Sequence, residues 1–383
     1  MNFTYFIIYI FLGLFLAISE ILGLMRKKFH IFFSLCLIIL FVVCCVSRFY
    51  GYYEYSDLKS YLWRYQNRDN AYFGNGYKYL CLILYPVIGP NGKAFLTAIS
   101  IIIIFLSMVS LLIIDKKNTK YFCTFFLLFT AYWGFSFSTE VIRTGIGISL
   151  SLISVAFAYR LKLIPSLIFS FLATTMHWTE IFVFLIAFYV YFAKKKENKD
   201  SKRKFSKDKN KHFDFKKNKS QYSWKSKYYI ILVVLILLDA SGLSFYFAKI
   251  TSSFFYLLLS LIGQTEHYGG YLDQIQHTGL FSVISLQYIF YRFLAFIMIF
   301  KSKSKGKASI FLNIYIIGLI VFTIMNPFDA VTRMTWIFLV FSIYEQYRYI
   351  VYSNDTCSEK IIYLFMIIVP FSIMSYRYLG YFS

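Results

Sequence analysis

Charge is scarce in this chain. Of its 383 residues 15% are charged, and only 18 are acidic against 40 Lys and Arg. With 59% hydrophobic and 22% aromatic residues, so little charge excludes the water-facing surface of a soluble globule. Signatures that depend on glycine-rich or metal-binding spacing are missing too. There is no Walker A, GxGxxG, HExxH or GxSxG pattern, so nucleotide hydrolysis and a dedicated metal site have no support, and no cofactor is expected. The six cysteines (Cys36, Cys44, Cys45, Cys81, Cys123 and Cys357) show no CxxC spacing, and five sit in apolar runs. That pattern points to packing or lipid-facing residues rather than disulfides or metal ligands. The N-terminal apolar segment, residues 3–24, lacks a basic start and a small-residue cleavage site, so it reads as a retained anchor.

What the chain has in quantity is long apolar runs. A helix needs roughly 20 apolar residues to cross a hydrocarbon core of about 30 Å. AFLTAISIIIIFLSMVSLLII, residues 94–114, meets that length without a charge, and similar runs recur throughout. The basic residues fall between them, at 26–28, 116–120, 160–162, 194–227, 301–307 and 348–360, which together hold 29 of the 40. Short cytoplasmic loops are enriched in Lys and Arg, so all six are expected inside, with the N-terminus outside. The spans then lie near 3–24, 29–47, 94–114, 121–137, 142–159, 163–177, 179–193, 228–248, 280–300, 308–325, 334–350 and 361–378. The fold class is all-α: a polytopic integral membrane protein with about twelve transmembrane helices. Residues 77–89 are too short to cross and are expected as a re-entrant or interfacial helix. Residues 163–192 carry basic flanks on both sides and should cross twice, which leaves each crossing short and sinks the turn at TMHWTE below the outer surface.

Three parts follow: an N-terminal membrane half, 1–193; a basic low-complexity loop, 194–227, expected to be disordered; and a C-terminal membrane half, 228–383. The loop reads as an orientation-setting tether on anionic lipid, not a nucleic-acid site.

An ionisable residue at membrane depth is costly and marks a functional site by default. In this topology such residues gather at the outer ends of spans and in outer loops: Arg48, Glu54, Asp57, Arg64 and Arg68; Glu140 and Arg143; His177 and Glu180; His267, Asp273 and His277; Asp329 and Arg333. They describe an outward-open polar cavity. Arg143 follows Glu140 by three residues, so the two share a helix side; its planar fork suits phosphate or carboxylate, and Gly145 and Gly147 leave room for close approach. The bland alternative is a self-neutralising Glu140/Arg143 pair with the glycines serving helix packing. Arg333, four residues after Asp329, carries the same two readings. Arg292, in the body of a span, either pairs internally or snorkels. His177 beside Trp178 is either a packing residue or a general base at neutral pH. Asp57 lies in a loop with Tyr53, Tyr55, Tyr61, Trp63 and Tyr65; aromatics among polar groups suit sugar rings, and equally form interfacial belts.

The order YGYYEYSDLKSY, STEVIRTGIGISLSLISVAF, LATTMHWTEIFVF and VTRMTWIF resembles the Wzy-type polysaccharide polymerases, in particular the EpsG-like family, over most of the chain. This sequence departs from the common pattern in having Glu140 and Val141 ahead of the Arg-bearing segment, and Thr144 after Arg143, which leaves the role of Glu140 open. The resemblance implies a multi-pass protein of the bacterial cytoplasmic membrane whose active site faces the extracytoplasmic side. It implies a glycosyltransferase that moves a growing glycan from polyprenyl pyrophosphate to a hydroxyl of the next lipid-linked repeat unit. Arg143 and Arg333 would bind pyrophosphate, His177 would be the base with Asp57 or Glu140 second, and Arg48, Tyr61, Trp178 and Asp329 would line the substrate. Expected partners are the lipid-linked oligosaccharide, the bilayer, and a chain-length regulator and flippase of the same pathway, with no nucleic acid. The alternatives are a flippase or transporter of lipid-linked sugars, and a glycan ligase or single-transfer membrane glycosyltransferase.

Overall fold

The computed structural model describes residues 2–24, 27–47, 57–67, 75–139, 141–207, 219–243, 246–247, 250, 253, 257, 260, 286–302, 308–325 and 335–378. Helix is the only regular structure among them. The chain forms two compact units, residues 1–209 with 346–383 and residues 210–345. The basic run divides the chain once in sequence; the compact units divide it twice, because the C-terminal residues belong with the first.

The first unit contains α1 (Asn2–Leu22), α2 (Lys27–Ser47), α3 (Asp57–Asn67), α4 (Asn75–Ile88), α5 (Gly92–Ile114), α6 (Phe122–Phe129), α7 (Phe135–Thr139), α8 (Ile142–Tyr159), α9 (Leu163–Met176) and α10 (Phe182–Lys207). The second contains α11 (Lys219–Ala240), α12 (Leu286–Lys301), α13 (Ile310–Met325) and α14 (Trp336–Leu339). The unit boundary falls inside α15 (Ser342–Tyr352), and α16 (Cys357–Tyr378) completes the first. Among the described residues, six helices are long and apolar enough to cross a membrane: Thr4–Leu22, Phe29–Ser47, Gly92–Ile114, Phe122–Thr139, Ile142–Tyr159 and Cys357–Ser375. Each coincides within a few residues with an expected span. The helices Leu163–Met176 and Ile310–Ile324 are apolar but shorter.

Position in the bundle follows from which faces are apolar. The Phe122–Thr139 span is 94% buried within the protein and Phe29–Ser47 only 28%, so the former is the axis of the first unit and the latter a lipid-facing wall. The axis is interrupted by a π turn, Thr130–Gly134, beside which Tyr9, Phe41 and Phe135 pack with ring centroids 4.7–5.9 Å apart. Its start is capped from α1: the buried Glu20 carboxylate accepts the backbone N–H groups of Cys123 and Thr124 and the Thr124 hydroxyl, each at 2.7 Å, and meets His30 Nε2 at 2.6 Å. Those donors are what the first turn of a helix leaves unsatisfied. Glu20, His30 and Cys123 lie close enough to hold a metal ion, but the carboxylate's acceptor capacity is already engaged by these donors.

Small residues let α8 approach its neighbours. Ser107 on α5 meets Ser149 at 3.2 Å, and Ser154 meets Ser170 on α9 at 2.8 Å, hydroxyl contacts that join helices where there is no hydrophobic drive between them. Helix α3 is different: Leu58, Tyr61, Leu62 and Tyr65 are buried while Lys59, Trp63, Gln66 and Asn67 are exposed. A single apolar stripe on 11 residues makes a helix that lies on the bundle rather than through it. It is held by Tyr65, stacked on Phe95 at 4.0 Å and donating to Gly89 O at 2.7 Å. Helix α4, 14 residues long or roughly 21 Å, covers the 77–89 segment and is too short to cross. Helix α10 runs on as helix to Lys207 and α11 begins at Lys219, so both ends of the basic run are helical where composition alone predicts an unfolded loop. In the second unit, Arg292 Nη2 meets Asp239 Oδ2 at 2.5 Å and Thr323 Oγ1 at 2.6 Å, all three buried. Arg292 therefore pairs internally.

Candidate functional site

Arg143 is the second residue of α8 and is half-buried. Its guanidinium carbon lies 5.8 Å from the ring centroid of Tyr61, which is 5% exposed, a cation–π geometry that steadies the side chain. Tyr61 in turn packs on Tyr77, the third residue of α4, with centroids 5.7 Å apart. The Tyr77 hydroxyl donates to Tyr61 O at 3.4 Å, within electrostatic reach of Arg143.

The residue before Tyr77 connects this group to the end of α9. A Cβ on Gly76 would fall 2.6 Å from Thr175 Oγ1 and 2.8 Å from the Thr175 carbonyl, so the start of α4 is pressed onto the last turn of α9 where only glycine fits. Two residues beyond Thr175, His177 leaves the helix in extended conformation, and a single 3-10 turn, Trp178–Ile181, leads into α10. His177 Nδ1 lies 2.5 Å from Thr179 Oγ1, which fixes the ring, and Trp178 is half-buried beside it.

The same turn is tied to α8 from below. Glu180 is 1% exposed; its Oε2 lies 2.9 Å from Ser151 Oγ, and its Cγ occupies the place, 2.8 Å away, where a Cβ on Gly147 would point. Arg143, Gly147 and Ser151 are spaced by four and so form one stripe of α8. The His177 turn thus lies against α8, roughly 7 to 14 Å from its first residue at 1.5 Å per residue.

Of the residues singled out in sequence, the structure brings Arg143 and Tyr61 into contact, and sets His177 and Trp178 on a turn attached to the Arg143 helix. Asp57 opens α3, but its side chain lies outside the described residues, as do Arg48, Glu140, Asp329 and Arg333 altogether. Of the two readings given for the glycines, the structure shows packing: Gly145 packs on the backbone of Phe137, with its Cβ position 2.8 Å from the Phe137 carbonyl, and Gly147 makes room for Glu180. Tyr77, Gly76 and Glu180 carry the assembly without having been assigned a role in it. Glu180 was visible as an ionisable residue three after His177; its partners, 29 and 33 positions away in sequence, were not.

A family model for the EpsG family matches residues 32–206 and 217–382. No curated protein and no solved structure matches the chain.

Proposed function

The chain belongs to the EpsG family, and from that premise we propose that it polymerises polyprenyl-pyrophosphate-linked oligosaccharide repeat units into a surface polysaccharide on the outer side of the membrane. Membership supports a glycosyltransferase-like polysaccharide polymerase in general; the donor, the orientation and the residue roles are our reading. The observation that carries it is the joining of three elements to the Arg143 helix: α3 through Tyr61 on Arg143, α4 through Tyr77 on Tyr61, and the α9–α10 turn through Glu180 on Gly147 and Ser151.

In the proposed reaction the acceptor hydroxyl oxygen forms a bond to the anomeric carbon of the donor glycan, and the bond from that carbon to the pyrophosphate oxygen breaks. Negative charge grows on the leaving pyrophosphate. Arg143 supplies preorganised N–H donors for it, a charge-assisted contact that gains strength as the charge develops. Arg333 is the second arginine of the proposal. The proton of the acceptor hydroxyl goes to His177; in the tautomer whose Nδ1–H donates to Thr179 Oγ1, the basic nitrogen is Nε2. Trp178, half-buried on the His177 turn, offers a ring of the kind sugars pack against, while the buried Tyr61 and Tyr77 hold the Arg143 side chain. The polyprenyl tail needs only the apolar helix surface.

The test is the surface polysaccharide of a deletion strain complemented with wild type or with Arg143→Ala. Loss of the polymer ladder to a single repeat unit, restored by wild type and not by a stably expressed Arg143→Ala, is the expected result. A full ladder with Arg143→Ala overturns the assignment. A flippase reading draws on the Asp239–Arg292 pair, since transporters keep ionisable residues within their spans. Unpolymerised repeat units accumulate outside the membrane in a polymerase mutant and are missing there in a flippase mutant.

A further inference from the structure

Glu180 poses a problem of hydrogen counting. Ser151 Oγ lies 2.9 Å from Gly147 O and 2.9 Å from Glu180 Oε2, yet a serine hydroxyl has one hydrogen. If that hydrogen goes to Gly147 O, an ionised Glu180 would set two lone-pair-bearing oxygens against each other at hydrogen-bonding distance. If it goes to Glu180, the carboxylate holds its charge in a 1% exposed position with one hydroxyl donor. A lone donor does not offset the loss of water around an anion in a membrane-spanning bundle. A carboxylic acid resolves both cases: its O–H donates to Ser151 Oγ while Ser151 donates to Gly147 O.

The surroundings favour the same form. Among the described residues no ion pair involves Glu180. Helix α9, Leu163–Met176, contains no ionisable residue before His177, and in α10 the first is Tyr189. On α8 the charged group on its stripe is Arg143, one turn beyond Gly147, directed over Tyr61.

We propose that Glu180 is a protonated carboxylic acid, seated in the space left by Gly147 and donating to Ser151, which fastens the His177 turn to the Arg143 helix as a neutral positioning residue. Neutrality has a purpose here. A carboxylate seated between one and two helical turns along α8 from Arg143 would add negative charge where an anionic substrate is to bind, whereas the acid makes the attachment without adding any. The consequence for activity rests on the polymerase reading; the protonation state does not.

The experiment compares infrared spectra of the full-length protein in lipid, wild type minus Glu180→Gln, at neutral pH. The expected difference contains the carbonyl stretch of a protonated carboxyl, shifted in Ser151→Ala, whose loss removes its hydrogen-bond acceptor. Carboxylate bands in its place overturn the proposal. Polymerisation is measured on the same variants at matched membrane levels: Glu180→Gln, neutral and able to donate to Ser151, keeps activity within about twofold of wild type, and Glu180→Ala loses about tenfold, as expected for loss of one buried hydrogen bond and its packing. A Glu180→Gln variant as inactive as Glu180→Ala overturns the neutral positioning role. If Arg143→Ala itself leaves polymer intact, the polymerase reading has failed, and the infrared result still decides the state of Glu180.

Discussion

At the scale of single residues, the two proposed actors should respond to substitution in different ways. Arg143 presents a planar fork over a tyrosine ring, a geometry a lysine ammonium does not reproduce. Arg143→Lys is therefore expected to behave like Arg143→Ala, with both stably inserted and both short of polymer; restoration of the ladder by Lys would reduce the residue's role to a point charge. His177→Ala should lower the polymerisation rate by about 10²- to 10⁴-fold, the usual contribution of a general base, measured in membranes supplied with lipid-linked repeat units. Glu20 is a contrasting case, buried and engaged by three donors at the start of α6. Glu20→Ala strands those donors and should cost about 2 to 4 kcal/mol of stability, read as a lower thermal midpoint in detergent, while any protein that survives keeps its polymerase activity. Arg143, His177, Trp178 and Tyr61 were legible as candidates because charge and aromatic rings near the ends of apolar runs are conspicuous. What each touches was not, because Tyr77 and Glu180 reach their partners through tertiary contacts that no local pattern encodes.

At the scale of elements, length and apolarity suffice to find the long spans, since a helix that must satisfy its own backbone in lipid has little alternative. Three features escaped that logic. The π turn at Thr130–Gly134 lies inside one continuous uncharged run, and length and apolarity alone do not announce it. The basic stretch after residue 193 looks unfolded by composition, yet Lys, Arg and Glu are good helix formers. The apolar part of α10 has already supplied the costly nucleus, so the helix continues to Lys207. The two-glycine pattern in α8 is readable as close approach, but not as which neighbour approaches. That distinction yields a test: Gly145→Val places carbon against the Phe137 backbone, where the Cβ position is already 2.8 Å from its carbonyl, and should destabilise the protein by at least about 1 to 3 kcal/mol through overpacking. Thermal unfolding in detergent gives the value; an unchanged midpoint would mean that α7 and α8 separate without cost.

At the scale of the molecule, the distribution of charge makes a statement about orientation that can be measured directly. The proposal sets α3 outside and the basic turn after α8 inside. Gln66 and Lys162 are both exposed, one on each. In a background without native cysteines, a membrane-impermeant maleimide added to intact cells should label Gln66→Cys and spare Lys162→Cys until the membrane is opened. The reverse pattern would move the His177 turn to the cytoplasmic side and remove the proposed reaction from the surface of the cell. The division into two compact units bears on how such a protein comes into being. Helix α16 packs on the axis of the first unit, with Phe371 stacked on Tyr132 at 5.2 Å and the Ser375 hydroxyl bonded to Ala131 O. Helices α1 to α10 are therefore made before the helix that covers their axis, and the π turn stays uncovered until α16 has been translated. A stop codon between Lys207 and Cys357 would deprive the Arg143-bearing unit of that wall, even though the α3, α4, α8 and α9–α10 residues around Arg143 and His177 had been made.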